Sequence, residues 1–178
     1  MNFADYEQWA GRLHKTAVAT HQLLAAGNET LVLAESCTAG LIAASLARSP
    51  GISAFLAGSL VVYQIPSKIE WLGVNPDSIE RDGVVSEVVA REMAAGALRH
   101  TPHASVSLAI TGHLGPDAPE HLDGVAWIAI SHRTAGSHSA KLQLTSAGCI
   151  PFPDLRWLRQ QEAAEYSLQA LNNWLRFH

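Results

Sequence analysis

An apolar run, Thr30-Leu31-Val32-Leu33-Ala34, stops at Glu35, and Ser36-Cys37-Thr38 then leads straight into an alanine-rich, proline-free stretch from Ala39 to Arg48. A run without polar alternation reads as a strand that needs cover on both faces, and the stretch after it reads as a helix ended by Ser49-Pro50-Gly51. A strand, a tight turn and a helix in that order commit the chain to an α/β architecture.

The rest of the chain repeats the alternation. Phe3, Tyr6, Ala10, Leu13, Ala17, Thr20 and Leu24 recur at intervals of three and four, which predicts one helical face, with Gly27 as the residue just past its end. Residues 55–63 read as a second strand, 66–73 as a short helix opened by Pro66, and 75–83 as a further helical turn. Residues 86–101 form a strong helical pattern capped by Ser86, with Val89, Met93 and Ala97 on one stripe. Three more strands are predicted at 104–110, 124–132 and 139–145, the last two as a hairpin. A final helix from Asp154 to Phe177 follows the proline-punctuated Ile150-Pro-Phe-Pro153. Together they predict a three-layer α/β/α sandwich with a mixed central sheet, one domain over residues 1–178 with 1–27 as an N-terminal helix.

Composition limits the function classes. Of 178 residues 48% are hydrophobic and 16% charged, enough for a substantial core without disulfide or metal staples. The net charge of −4 is spread without runs, which argues against nucleic acid or anionic lipid as a partner and for a small molecule or protein. The two cysteines, Cys37 and Cys149, lie far apart with no CxxC spacing, as expected in a reducing compartment. The N-terminus is too polar for a signal peptide and no run approaches the ~20 apolar residues of a membrane span, so a cytoplasmic protein is expected.

Chemistry in open α/β sheets gathers where strands end and helices begin. Ser36 stands at such a junction. Either Ser36 or Thr38 caps the following helix, or Ser36 is a nucleophile whose oxyanion or substrate phosphate is held by nearby N–H groups. Position alone leaves both readings open. The nine histidines offer no recognisable triad or zinc spacing, and His100, His103, His113 and His121 read as surface or loop residues. Lys68 is the other candidate base. It follows Tyr63 by five positions, and a lysine withdrawn from water can accept a hydroxyl proton that a tyrosine relays or orients. That spacing differs from the YxxxK of short-chain dehydrogenases, and no GxGxxG accompanies it, which argues against a nicotinamide oxidoreductase.

The ordered set AESCTAG, Y-x4-K, LGV, GVVSEVVAREMAAGAL, TGxxGP and GxxW resembles the C-terminal domain of the competence/damage-inducible protein CinA, the family of nicotinamide-nucleotide amidases. The resemblance covers about residues 28 to 175, without the N-terminal nucleotide-processing domain of many full-length members. It implies an α/β/α sandwich, a homo-oligomer, and metal- and cofactor-free hydrolysis of the carboxamide of nicotinamide mononucleotide to the carboxylate and ammonia. On this resemblance Ser36 is the nucleophile, Lys68 its base and Tyr63 a helper in the same cluster. Cys37, Thr38, Gly40, Thr111 and Gly112 would line the substrate pocket, Cys37 as a small wall residue. Arg159, at a basic position of the last helix, is either a phosphate ligand or a surface arginine. The chain also departs from the family. Gln64 and Ile65 stand for serine and asparagine, His113 and Leu114 for small residues, and Leu155 for an arginine. These departures are compatible with altered specificity or with a non-catalytic ligand-binding or regulatory module. A mainly structural, oligomer-forming role is the third class to separate.

Overall fold

A computed structural model describes residues 3–145 and 154–178, with side chains from residue 7 onward. Cys149, the segment preceding Asp154, and the side chains of Phe3 and Tyr6 therefore lie outside the described residues. The elements are α1 (Phe3–Gly27), β1 (Leu31–Glu35), α2 (Leu41–Leu46), β2 (Leu56–Val61), α3 (Ile65–Leu72), α4 (Pro76–Asp82), α5 (Glu87–His100), β3 (Val106–Gly112), β4 (Val125–His132), β5 (Gly136–Gln143) and α6 (Asp154–Phe177). The sheet order is β2-β1-β3-β4-β5. The first three strands run parallel, whereas β4 pairs antiparallel with both β3 and β5.

Each face of the sheet has its own core. Leu31, Leu33, Val106, Leu108 and Ile110 point to one side, where Leu13, Ala17 and Leu24 of α1, Ile42 and Leu46 of α2, and Leu168 and Leu171 of α6 cover them. Val32, Ala34 and Ala109 point to the other, against Leu72 of α3 and Val89, Met93 and Ala97 of α5. Alternate residues of β1 thus serve opposite layers, and all five are buried, which is why the run is apolar throughout. Burying a Leu or Val contributes about 1.5–3 kcal/mol, so both faces must be covered for the strand to sit centrally. No helix among the described residues is long and apolar enough to cross a membrane.

The local signals explain most boundaries. Asn75 accepts from Asp77 N at 3.0 Å ahead of Pro76, and Ser86 accepts from Val89 N at 3.4 Å to open α5. Three expectations shift. Helix α1 includes Gly27, and Asn28 takes the left-handed conformation just past it (φ 53°). Helix α2 starts at Leu41 rather than at 39, because Ala39 (φ 52°) and Gly40 (φ 94°) are both left-handed. Strand β5 runs from Gly136 to Gln143 rather than over 139–145, because Gly136 already pairs with His132 across a tight turn.

The topology creates a crevice. From β1 the chain crosses through α2 on one face to reach β2, then returns through α3–α5 on the other face to β3 on the opposite side of β1. The connection that leaves β1 and the one that leaves β2 pass over opposite faces of the sheet, and an opening forms beyond the carboxyl ends of β1 and β3.

Candidate active site

Glu35 ends β1, is fully buried, and organises the turn that follows. Its Oε2 accepts from Thr38 Oγ1 at 2.8 Å, Gly40 N at 3.0 Å and Ile42 N at 3.1 Å. Its Oε1 accepts from Ala43 N at 3.0 Å and Ser59 Oγ at 3.1 Å. A carboxylate facing the first turn of a helix satisfies N–H groups that lack intrahelical partners and complements the helix dipole. Glu35, not Ser36 or Thr38, therefore caps α2, and the capping reading of Ser36 is overturned. Ala39 in a left-handed conformation costs on the order of 1 kcal/mol, a strain the carboxylate network holds in place.

With the cap supplied by its neighbour, the Ser36 hydroxyl is released for another partner. Ser36 N donates to Ile110 O of β3 at 3.1 Å, which fixes its backbone, and Lys68 Nζ donates to Ser36 Oγ at 2.8 Å. Lys68 is carried by α3 and is only 1% exposed. Its Nζ also meets Val62 O at 2.7 Å and Tyr63 O at 3.5 Å. Burial lowers the amine from its ordinary value to about 8. A neutral amine has two N–H bonds and one lone pair. With two carbonyls to receive the N–H bonds, the lone pair is left for the serine proton.

The dyad opens into a cavity of about 230 Å³ lined by Ser36, Cys37, Tyr63, Lys68, His113 and Arg156 among others. Thr111 and Gly112, at the end of β3, also line it. The Thr111 hydroxyl donates to Val84 O at 2.9 Å, and a Cβ on Gly112 would lie 2.7 Å from Ala126 Cβ and 3.1 Å from Cys37 Sγ. Only glycine leaves room there. Burial pushes the Cys37 thiol up to about 12, the opposite of what a nucleophile needs. The same cause lowers His113 and favours its neutral ring.

Four expected site residues sit differently from their expectation. Thr38 and Gly40 are absent from the cavity wall and serve the Glu35 network instead. Tyr63 lines the cavity, but its hydroxyl accepts from Arg156 Nη2 at 2.7 Å rather than joining the Ser36–Lys68 pair; only its carbonyl approaches Lys68. Arg159 is neither a surface residue nor a phosphate ligand. It is 0% exposed and grips Asp123 in a two-pronged pair of 2.6 Å bonds, with Thr145 O and Leu114 O as further acceptors. A guanidinium with no exposed surface and no place in the cavity wall is not positioned to receive a substrate, and it instead ties the 113–124 segment to α6.

Sequence reasoning passed over Glu35 and Arg156. An acid between a buried strand and a helix start is a readable capping signal. Nothing in the spacing of two arginines three apart tells which of them reaches a cavity.

Fold and site together define an α/β/α protein with a serine–lysine pair at the carboxyl ends of its parallel strands. The model of the CinA C-terminal domain matches residues 13–173, and the chain belongs to that family. A CinA-like protein of Mycolicibacterium vanbaalenii is 45% identical over 110 residues, which are 62% of this chain and 26% of that protein. One of Mycobacterium avium is 52% identical over 86 residues, 48% of this chain and 20% of that protein. The matched segments thus span about a quarter of the length of these curated relatives. Among solved structures, a CinA superfamily protein of Klebsiella pneumoniae superposes with a TM-score of 0.83 at 25% identity, covering 93% of this chain and 99% of that one. Another from Escherichia coli gives 0.79 at 31% identity, covering 90% and 89%.

Proposed function

We propose that the chain hydrolyses the carboxamide of nicotinamide mononucleotide, or of a related nucleotide amide, through an acyl-Ser36 intermediate. The observation that carries this reading is the 2.8 Å contact between a buried lysine and a serine hydroxyl at the head of a cavity. With its amine at about 8, roughly one Lys68 in ten is neutral at pH 7. Ser36 Oγ attacks the amide carbon and its proton passes to Lys68 Nζ. The tetrahedral intermediate collapses, the C–N bond breaks, and Lys68 returns the proton to the departing nitrogen as ammonia. Water then attacks the ester, giving one proton to Lys68 and from there to Ser36 as the carboxylic acid leaves.

The anionic oxygen formed in both steps needs donors. Of the N–H groups from 36 to 40, those of Ser36, Ala39 and Gly40 are spent on Ile110 O, Ser36 O and Glu35. That of Cys37, a residue of the cavity wall, is left as the oxyanion donor, worth on the order of 3 kcal/mol in hydrolases that use one.

The test is ammonia release from nicotinamide mononucleotide and a panel of other amides, with mass spectrometry of trapped protein. Release from the nucleotide and an acyl adduct on Ser36 are expected. No release from any amide would leave the ligand-binding reading in its place, and full release after Ser36→Ala would remove Ser36 from the mechanism.

A further inference from the structure

Arg156 is the cavity group that acylation leaves unused. It sits in the first turn of α6, and its Nη1 donates to Gly115 O while Nη2 donates to the Tyr63 hydroxyl at 2.7 Å. Neither acceptor carries charge. Among the described residues that line the cavity there is no carboxylate. Lys68 and His113 are both shifted by burial toward their neutral forms. The guanidinium is therefore a standing positive charge facing a cavity that contains nothing to neutralise it. Arg156 is partly buried and Tyr63 is 53% exposed, so the charge is within reach of an anion entering from solvent.

Tyr63 completes the arrangement. Its phenolic oxygen receives the Arg156 N–H, and its own O–H proton has no acceptor among the described residues. The pair thus presents a charged fork and a directed O–H to one small volume, the donor set that suits a phosphate monoester or a carboxylate. The same cavity holds the Ser36–Lys68 dyad, so one small molecule can reach both ends.

We propose that Arg156 and Tyr63 form an anion-binding subsite that selects amides bearing a phosphate or carboxylate group. The assignment rests on the amidase reading for the identity of the amide, but it is a statement about binding and is tested as one. Arg159, at the family's basic position, is excluded from this role by its bonds to Asp123. Tyr63 acts here on the substrate's anion and not on the serine proton.

The experiment uses the full chain carrying Ser36→Ala, so that ligands are not consumed, and calorimetric titration with two pairs of probes. Nicotinamide mononucleotide is compared with phosphate-free nicotinamide riboside, and succinamate with succinamide. Tenfold or tighter binding of the anionic member is expected in at least one pair, and the pair that shows it distinguishes phosphate from carboxylate. Adding Arg156→Gln should erase that gain, Arg156→Lys should restore part of it, and Tyr63→Phe should reduce it several-fold, with circular dichroism confirming each fold. Equal affinity within both pairs, or a gain that survives Arg156→Gln in folded protein, overturns the assignment. The two readings fail separately. An anion gain in a chain that releases no ammonia leaves the subsite and removes the amidase, whereas equal turnover of charged and neutral amides does the reverse.

Discussion

Gly96 of α5 lies against the Leu72 carbonyl so closely that a Cβ at position 96 would stand 2.1 Å from that oxygen. The contact seats α3, and with it Lys68, against α5. Gly96→Ala must therefore push α3 away, since the group it meets is backbone and not a flexible side chain. We expect a loss of about 1–3 kcal/mol in urea unfolding and a larger proportional loss of amidase activity, because a shift of 1 Å breaks the Ser36–Lys68 bond. Unchanged activity in the destabilised variant would separate α3 seating from the site.

The pH dependence follows from Lys68. If its neutral form is the base, kcat/KM rises about tenfold per pH unit below about 8 and levels above it. Stability moves too. The folded value, about 8, lies below the ordinary 10.5, so between these limits the unfolded chain binds more protons and stability rises with pH. Below about 8 both states are charged and the burial cost is fully felt. Lys68→Met should abolish turnover and flatten the rise in denaturant midpoint across that window; a midpoint profile parallel to the parent's would dissociate it from Lys68.

Ser36 and Cys37 are neighbours with opposite expectations. Ser36→Ala should eliminate turnover while shifting stability by no more than about 1 kcal/mol, since the helix cap is supplied by Glu35. Cys37→Ala should retain activity, and the buried thiol should resist iodoacetamide at pH 8 in the folded protein. Rapid inactivation by thiol alkylation would contradict this.

Glu35→Ala strips acceptors from Thr38, Gly40, Ile42, Ala43 and Ser59 at once. A loss of about 2–4 kcal/mol is expected, together with loss of activity as the 36–40 turn relaxes. Thermal unfolding and ammonia release report the two effects.

Arg159 and Arg156 should behave as different kinds of residue despite being three apart. Arg159→Ala leaves Asp123 and two carbonyls without their donor and should cost about 2–4 kcal/mol. Arg159 holds the Asp123 carboxyl below its usual range, so this contribution is present above about pH 4 and fades as the pH falls through the folded value. Arg156→Gln should leave the unfolding midpoint nearly unchanged. Acid-unfolding curves of the two variants make the comparison.

The sequence by itself determined the layers. An unbroken apolar β1 demands cover on both faces, the three-and-four spacing of Val89, Met93 and Ala97 supplies one cover, and Asn75, Pro76 and Ser86 mark where helices begin. It also determined that Ser36 stands at a strand-to-helix turn, because strand ends and caps are local properties of the chain. Which polar side chain caps, which arginine is buried and which phenol meets which donor were decided only by the tertiary structure. Those outcomes depend on partners far away in the chain: Lys68 comes to Ser36 across 32 positions, Arg156 to Tyr63 across 93, and Arg159 to Asp123 across 36. Helical periodicity fixes a residue's direction to within a face, whereas a hydrogen bond requires its atoms to within a few tenths of an ångström, and that precision arises only when the packed layers have set the distance between them.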